Sequence, residues 1–392
     1  MPVSAASAGS PMRHAIVTET WPPEVNGVAL TVESLAQGLR SRGHQVSLVR
    51  PRQSPGQVAD AGETLVRGAN LPRYPGLKFG LPATRTLLRL WSGERPDAIY
   101  VATEGPLGWS ALRAARRLGI PVATGFHTRF DRYMRDYGVA FLQPVALRWM
   151  RHFHNLADAT LVPTRELRDF LLGHGFHDVV LLPRAVDTRR FNPSQRDAAL
   201  RESWGVAADA PVAIHVGRIA AEKNLGLVVR AFRTLQRVRP EARMAWIGDG
   251  PERARLQREH PDFIFCGVQR GQALARHFAS GDLFLFPSLS ETFGNVTLEA
   301  MASGVATVAF DYGATREHLR DGAHGAAVAP GDEEGFIAAA RHIGSDADLR
   351  HVMATAAREA VSGLRPEQVA AAFDGILARL ARSKPHERLA AA

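Results

Sequence analysis

Short apolar runs alternate with longer stretches of helical period along most of the chain. In the first half, the apolar runs predict strands at residues 14–19, 45–50, 98–102, 121–126, 159–162 and 179–182. In the second half, they predict strands at residues 212–216, 243–247, 263–266, 283–286, 307–310 and 326–328. Residues 28–42 illustrate the helices between them, with Leu30, Leu35 and Leu39 placed on one apolar face and Gly43 favouring a helix end. This alternation is typical of parallel βαβ units and predicts a doubly wound α/β protein.

A break in this pattern divides the chain. Residues 187–209 are polar and offer no strand candidate, so we place the domain linker there. The break predicts one Rossmann-like domain over residues 1–190 and a second over residues 195–365, which a chain of 392 residues is long enough to form. Two such sheets facing a common cleft would bind ligands at the carboxyl ends of their strands.

The amino-acid composition suggests several classes of binding partner but does not select one of them. The formal charge of +9 favours phosphates, anionic lipid or nucleic acid, although a solvated arginine-rich surface is the simpler explanation. No apolar stretch approaches the roughly 20 residues that a membrane-spanning helix needs. The start of the chain lacks a secretory apolar core, and the lone Cys266 cannot form an internal disulfide. These observations predict a cytoplasmic protein.

The strongest chemical signal lies between Ser290 and Ala300, directly after the predicted strand 283–286. A loop with Gly294 that leads into a helix directs unpaired backbone N–H groups at one point, which makes an anion site. Glu291 in the loop can meet sugar hydroxyls, and Glu299, further along the helix, can accept hydrogen bonds from a ribose diol. The spacing argues against the alternative, an ordinary capped helix with solvated acids.

Three further strand ends carry candidate residues. Arg218 and Lys223 follow strand 212–216, where they can converge on a diphosphate and stabilise its charge as it leaves. Gly27 follows the first strand and would allow a phosphate or sugar to approach the backbone. His127 ends strand 121–126, where its ring could orient a sugar hydroxyl or handle a proton. The alternatives are surface cations, an ordinary βα loop and a structural histidine.

Two other motifs are weaker. The run Gly248-Asp249-Gly250-Pro251 matches half of a dinucleotide fingerprint, but Arg253 stands in place of the third glycine, so hydride transfer is not supported. The run Asp346-Ala347-Asp348 has the form of a metal-binding pair, yet no strand precedes it. We therefore expect no metal site.

Taken together, these motifs resemble those of the family 4 retaining glycosyltransferases over about residues 14–332. The resemblance is closest to the branch of bacterial GDP-mannose-dependent α-mannosyltransferases and plant-type sulfolipid glycosyltransferases. It implies a GT-B fold, a helix over residues 366–390 that packs back on the first domain, a nucleotide-diphosphate sugar as donor, and no cofactor.

The resemblance also implies a role for each matching residue. Arg218 and Lys223 would clamp the diphosphate, and Glu299 would bind the ribose. The hexose would be held by Glu291, Phe293, Gly294 and Asn295, with His127 beside the transferred sugar. Asn26 and Gly27 would form the phosphate-approach loop, and Val268 would lie at the base pocket. Arg184 is the first residue of a segment whose sequence in this branch is usually Arg-Gly-Val-Asp. Here Ala185 replaces the glycine, which puts the local backbone and the phosphate approach of Arg184 in question.

The implied reaction is retaining transfer of a hexose, mannose before glucose, by front-face displacement without a protein nucleophile or a metal. Residues 129–151 mix arginines with aromatic side chains, which suits an anionic membrane surface as well as an ordinary amphipathic helix pair. With the branch resemblance, this favours a membrane lipid or glycan acceptor and peripheral contact with the inner face of a membrane, and no nucleic acid. The alternatives are a same-fold epimerase or phosphorylase, and a non-catalytic basic module that binds membrane or nucleic acid.

Overall fold

The computed structural model describes residues 10–22, 27–54, 56–70, 78–127, 143–207, 209–288, 291 and 293–383. The chain divides into two compact units, one comprising Met1–Arg184 with Pro366–Ala392 and the other Ala185–Arg365. Among the described residues, no helix combines the length and the apolar character needed to cross a bilayer.

The first unit is built on a seven-stranded parallel sheet in the order β3-β2-β1-β6-β7-β8-β9, with a separate antiparallel pair β4-β5. Its strands are β1 (Arg13–Val17), β2 (Gln45–Pro51), β3 (Glu63–Val66), β4 (Gly68–Asn70), β5 (Lys78–Gly80), β6 (Ala98–Val101), β7 (Val122–Gly125), β8 (Ala159–Val162) and β9 (Val179–Leu181). Its first helices are α1 (Gly27–Ser41), α2 (Thr84–Gly93), α3 (Pro106–Leu118), α4 (Gln143–His154) and α5 (Arg165–Gly173).

The second unit is built on a six-stranded parallel sheet in the order β12-β11-β10-β13-β14-β15. Its strands are β10 (Val212–Val216), β11 (Arg243–Ile247), β12 (Ile264–Gly267), β13 (Leu283–Phe286), β14 (Ala306–Phe310) and β15 (Gly325–Val328). Its helices are α6 (Ala198–Ser203), α7 (Leu225–Val238), α8 (Arg253–Glu259), α9 (Gly271–Ala279), α10 (Asn295–Ala302), α11 (Ala314–His318), α12 (Glu333–Ser345) and α13 (Ala347–Val361). Successive residues of β10 enter two separate apolar clusters, so both faces of this sheet are buried.

The predicted α/β class is confirmed, and each predicted strand corresponds to an observed one whose ends differ by at most about two residues. The sequence pattern missed β3, a short edge strand in which only Val66 is buried, and the three-residue strands β4 and β5. It was also wrong about one helix face: α1 buries Ala29, Val32, Leu35 and Leu39, whereas Leu30 is 52% exposed.

The polar segment that we expected to be a linker is part of the second unit. It contains a 3₁₀ turn (Pro193–Gln195) and α6, and Phe191 and Val206 lie in the core. Arg201 of α6 is buried and pairs with Asp282 at 3.0 Å. The prediction failed because these short helices carry few apolar residues and are held in part by polar contacts such as the Arg201–Asp282 ion pair.

The last helix, α14 (Pro366–Arg382), packs on α1 of the first unit. A Cβ atom at Gly38 would lie 2.3 Å from the Cβ atom of Ala370, so the glycine permits the close approach of the two helices. Asp374 accepts a hydrogen bond from Arg42 at 2.8 Å and lies 3.1 Å from His44 Nε2. Polar contacts therefore fix this helix beside the start of β2.

Candidate active site

Two loops meet at the centre of the second sheet. The 3₁₀ turn Ala221–Lys223 follows β10, and Glu291 follows β13, the strand next to it. The carboxyl ends of parallel strands share one edge of the sheet, so the two loops lie side by side. Lys223 Nζ donates a hydrogen bond to Glu291 Oε1. The two side chains are 15% and 22% exposed, so the pair is partly shielded from water yet reachable by a ligand.

The loop that carries Glu291 is held by two hydroxyl groups. Ser288 donates to Glu291 Oε1 at 3.1 Å, and the Tyr312 hydroxyl donates to the Glu291 carbonyl at 2.8 Å while accepting from the Glu291 N–H. Tyr312 follows β14, the next strand in the sheet. Both the side chain and the backbone of Glu291 are thereby fixed by two hydroxyl residues for which the sequence predicted no role.

Arg218 lies in the same loop as Lys223 but is turned toward Glu222, with 3.5 Å between Nη1 and Oε1. Its side chain is 61% exposed. Solvated ion pairs of this kind contribute about 0–1 kcal/mol, so turning the guanidinium toward a phosphate would cost little.

His215 is a buried residue of this site to which the sequence analysis gave no role. Its Nδ1 lies 3.1 Å from the Leu285 carbonyl, which can only accept, so Nδ1 carries the proton. Burial lowers the pKa of His215 to about 4, and the charge of Lys223 acts in the same direction. The ring is therefore neutral, and its Nε2 has no hydrogen-bond partner among the described residues.

The start of α10 lies beside the Glu291 loop. Gly294 caps the helix with φ +91°, and no side chain occupies the cap position, which leaves backbone N–H groups for an anion. Asn295 follows, and its buried Oδ1 has no partner within the described chain. Burial raises the pKa of Glu299 to about 7, which the nearby charge of Arg190 opposes.

Phe293 and Val268 occupy very different surroundings. The Phe293 ring lies in the hydrophobic core, and its carbonyl accepts a hydrogen bond from Ala314 at 2.7 Å. It therefore shapes the loop from inside. Val268, by contrast, follows β12 and is 55% exposed.

The Gly248-Asp249-Gly250 run is explained by packing. A Cβ atom at Gly248 would lie 1.9 Å from the Gly217 carbonyl oxygen, and one at Gly250 would lie 2.3 Å from the Ile219 carbonyl oxygen. The two glycines let the loop after β11 pass directly against the loop that carries Arg218 and Lys223. The run therefore supports the candidate site through packing.

His127 lies at the carboxyl edge of the first sheet, in a buried polar cluster. Arg184 donates to Nδ1 at 2.6 Å, so Nε2 carries the proton that faces the Tyr100 hydroxyl at 2.8 Å. Burial lowers the pKa of His127 well below its usual value, and the Arg184 charge adds to this. A Cβ atom at Gly125 would lie 2.2 Å from the Tyr100 hydroxyl, so only glycine leaves room for this contact.

Three residues near the first unit's loops complete the predicted set. Gly27 is the first residue of α1, and Asn26 lies outside the described residues. Arg184 is buried, which lowers its pKa to about 10. The described non-glycine residues with positive φ are Asp178 and Asn224, so the backbone at Ala185 does not require glycine.

The described residues that could bind a metal ion make hydrogen bonds within the protein. Asp346 caps α13 by accepting the Leu349 N–H at 2.9 Å, which explains the Asp-Ala-Asp run. His14, His44 and Asp374 lie within 4.8 Å of one another, but His44 Nδ1 accepts the Met12 N–H at 3.1 Å. Its Nε2 therefore carries a proton and donates to Asp374, which does not suit metal binding.

Comparison with known sequences gives matches along both units. Residues 25–190 match the profile described as Glycosyltransferase Family 4, and residues 210–346 match Glycosyl transferases group 1. A GDP-mannose-dependent alpha-mannosyltransferase of Mycobacterium tuberculosis is 35% identical over 314 residues, which is 78% of this chain and 81% of the relative. A sulfoquinovosyl transferase of Arabidopsis thaliana is 31% identical over 387 residues, 94% of this chain and 75% of the relative.

Solved structures share the two-unit fold. Sucrose-phosphate synthase from Thermosynechococcus elongatus has a TM-score of 0.75 at 18% identity, covering 95% of this chain and 100% of that one. An Anabaena protein, HepE, in complex with UDP-glucose has a TM-score of 0.72 at 17% identity, covering 94% of this chain and 100% of that one. These likenesses confirm the GT-B fold. On the sequence relationship, the chain belongs to glycosyltransferase family 4 and is a hexosyltransferase.

Proposed function

We propose that this enzyme transfers mannose from GDP-mannose, with retention of configuration, to a hydroxyl group of a membrane lipid or glycolipid. The observation that carries the proposal is the pairing of Lys223 with Glu291 at the centre of the second sheet, beside a helix start that has no side-chain cap. The donor is supported by the mycobacterial relatives, which are named as GDP-mannose-dependent. The acceptor class is supported by the alpha-monoglucosyldiacylglycerol synthase of Acholeplasma laidlawii, 26% identical over 318 residues.

In the proposed reaction, the bond between the anomeric carbon and the diphosphate oxygen breaks while the acceptor oxygen bonds on the same face. The acceptor proton passes to the leaving diphosphate. Lys223 and Arg218 neutralise the charge that develops there, which needs no metal ion. Lys223 would exchange part of its contact with Glu291 for the diphosphate, freeing that carboxylate for a sugar hydroxyl.

The remaining donor contacts follow the same proposal. Glu299 would accept from the ribose diol; Asn295 and the backbone of Gly294 would hold the hexose; Val268 would contact the base; Asn26, Gly27 and Arg184 would lie along the phosphates. His127 is neutral and engaged at both ring nitrogens. We therefore assign it an orienting role beside the sugar and not that of an acid or base.

A UDP-hexose is the second candidate donor. The plant relative, which is matched over 94% of this chain, is named as a sulfoquinovosyl transferase, so transfer of a sugar other than mannose is the alternative to test. Donor consumption can be tested with GDP-mannose, UDP-glucose, UDP-galactose and ADP-glucose in the presence of lipid vesicles. We expect GDP release from GDP-mannose that Lys223→Met abolishes and that Lys78→Met, a change of a partly exposed lysine in β5, leaves unchanged; failure to consume any donor would contradict the proposal.

Peripheral membrane contact is the last part of the proposal. Helix α4 has no acidic residue, ends in basic residues, and exposes 66% of Val145 and 44% of Trp149. Apolar side chains among arginines suit an anionic bilayer surface. Sedimentation with phosphatidylglycerol vesicles should be reduced by Trp149→Ala with Arg148→Ala. Binding that is unchanged in the double variant would contradict this part alone.

A further inference from the structure

Three loops are joined at the carboxyl edge of the second sheet, where β12, β11 and β10 are neighbours in that order. The Gly248 N–H after β11 donates to the Gly267 carbonyl at the end of β12 at 2.8 Å. The Asp249 carbonyl accepts the Ile219 N–H at 3.0 Å, and Ile219 belongs to the loop of the proposed diphosphate clamp. Asp249 therefore lies between that clamp and Val268, the residue proposed to contact the base.

Asp249 and Arg253 form a charged pair that a ligand can reach. Arg253 Nη1 lies 3.4 Å from Asp249 Oδ2, and the two side chains are 32% and 53% exposed. Asp249 Oδ1 accepts the Gly250 N–H at 2.8 Å, so each carboxylate oxygen keeps a lone pair for a further donor. The other guanidinium nitrogens of Arg253 make no hydrogen bond to a described residue. An exposed pair of this kind contributes little to stability, so a ligand can insert into it at little cost.

The charged pair lies next to an exposed apolar side chain. A Cβ atom at Gly267 would lie 3.9 Å from Arg253 Nη1, so the guanidinium faces the loop after β12. Val268 is the next residue of that loop and is 55% exposed. The surface thus offers an apolar contact for the face of a flat ring and hydrogen-bonding groups for its edge, the combination that binds a nucleotide base.

The hydrogen-bonding groups of this pair match one base. A carboxylate only accepts hydrogen bonds, and a guanidinium only donates them. Guanine presents two adjacent donors, N1–H and the 2-amino group, beside the acceptor O6. Uracil has a single N3–H between two carbonyl oxygens, one of which would face the carboxylate. Adenine would bring the lone pair of its N1 against the same carboxylate, so both bases leave an unfavourable contact.

We propose that Asp249 and Arg253 determine the base of the donor by selecting guanine. The Asp249 carboxylate accepts from N1–H and the 2-amino group, Arg253 donates to O6, and Val268 packs against the ring. This inference rests on the proposed function, which places the base at Val268, and it assigns the choice of nucleotide to residues outside the predicted set.

The first experiment removes single atoms from the ligand. Titration calorimetry gives the Kd of GDP and of inosine diphosphate, which lacks only the 2-amino group, for the full chain and its variants. We expect the wild type to bind GDP at least about 10-fold more tightly than inosine diphosphate. Asp249→Asn should abolish this preference, and Glu259→Gln, an exposed change at the other end of α8, should retain it. A wild-type preference below about twofold, or one that Asp249→Asn leaves intact, would overturn the inference.

Arg253 is tested with the same two ligands. Both carry O6, so Arg253→Met should weaken GDP and inosine diphosphate by the same factor, at least about fivefold, and leave their ratio unchanged. Unaltered affinity for both ligands in a protein with the wild-type melting temperature would remove Arg253 from the proposal.

A gain of binding excludes misfolding as the explanation. Xanthosine diphosphate carries a carbonyl oxygen where GDP carries the 2-amino group, and this oxygen repels a carboxylate but accepts from an amide N–H. Asp249→Asn should therefore bind xanthosine diphosphate at least about 10-fold more tightly than the wild type does. Absence of any gain would contradict direct contact between Asp249 and the base.

The outcomes separate this inference from the proposed function. Consumption of GDP-mannose by a protein whose nucleotide preferences do not respond to Asp249→Asn would refute the inference alone. Tight binding of UDP with no binding of GDP would refute the proposed donor as well.

Discussion

Glu299 allows the site to be tested through stability as well as activity. Burial raises its pKa from the ordinary 4.5 to about 7, so the folded chain binds this proton more tightly than the unfolded chain. The resulting stabilisation is complete below pH 4.5 and is lost as the pH rises through 7. One pKa unit corresponds to about 1.4 kcal/mol, so the charged carboxylate destabilises the ligand-free protein by about 3 kcal/mol at pH 8.

Glu299→Gln removes this charge at little change in shape. We expect the variant to be more stable than the wild type by up to about 3 kcal/mol at pH 8 and by less than about 1 kcal/mol at pH 5. It should also lose most of the melting-temperature increase that GDP produces, because an amide is a weaker acceptor for the ribose diol than a carboxylate. Urea unfolding at both pH values, with exposed Glu359→Gln as the control, measures the first effect. A Glu299→Gln protein that is less stable than the wild type at pH 8, or that matches the control at both pH values, would refute the reasoning.

Three further predictions concern the second unit. Lys223→Met should lower kcat/KM at least about 100-fold, with partial recovery in Lys223→Arg, and an activity within tenfold of the wild type would contradict its role. Tyr312→Phe removes the hydrogen bonds to the Glu291 backbone and should lower the free energy of unfolding by about 1 kcal/mol. In steady-state kinetics, it should change kcat by a larger factor than the donor KM. A change in KM alone would contradict the proposed role of a fixed loop. Gly248→Ala should lower the free energy of unfolding by about 2 kcal/mol or more, because the new Cβ atom would lie 1.9 Å from a carbonyl oxygen. Gly226→Ala in α7 is the control: its Cβ atom would have no atom within 4 Å, so stability should not fall. Equal effects of the two substitutions in denaturant unfolding would contradict the packing explanation.

The fold was predictable because parallel strands buried on both faces appear in the sequence as apolar runs. Edge strand β3 is half-buried and lacks that signature. Leu30 was misplaced because it lies five positions from Leu35, well away from it around the helix, and only the packing of α1 shows which stripe is buried.

The candidate site was predictable where residues follow neighbouring strands, as Lys223 and Glu291 do. Contacts made across long sequence separations were not. The Tyr312 hydroxyl recognises backbone atoms 21 residues away, and Arg184 reaches His127 across 57 residues. Neither contact leaves a local pattern, because the fold alone brings the partners together.

A crystal structure of the enzyme with GDP tests the central claim most directly. The account predicts that Lys223 Nζ and the Arg218 guanidinium lie within hydrogen-bonding distance of the diphosphate oxygens, with the Glu299 carboxylate on the ribose diol. GDP bound elsewhere, or bound while Lys223 and Glu299 point away from it, would contradict the account.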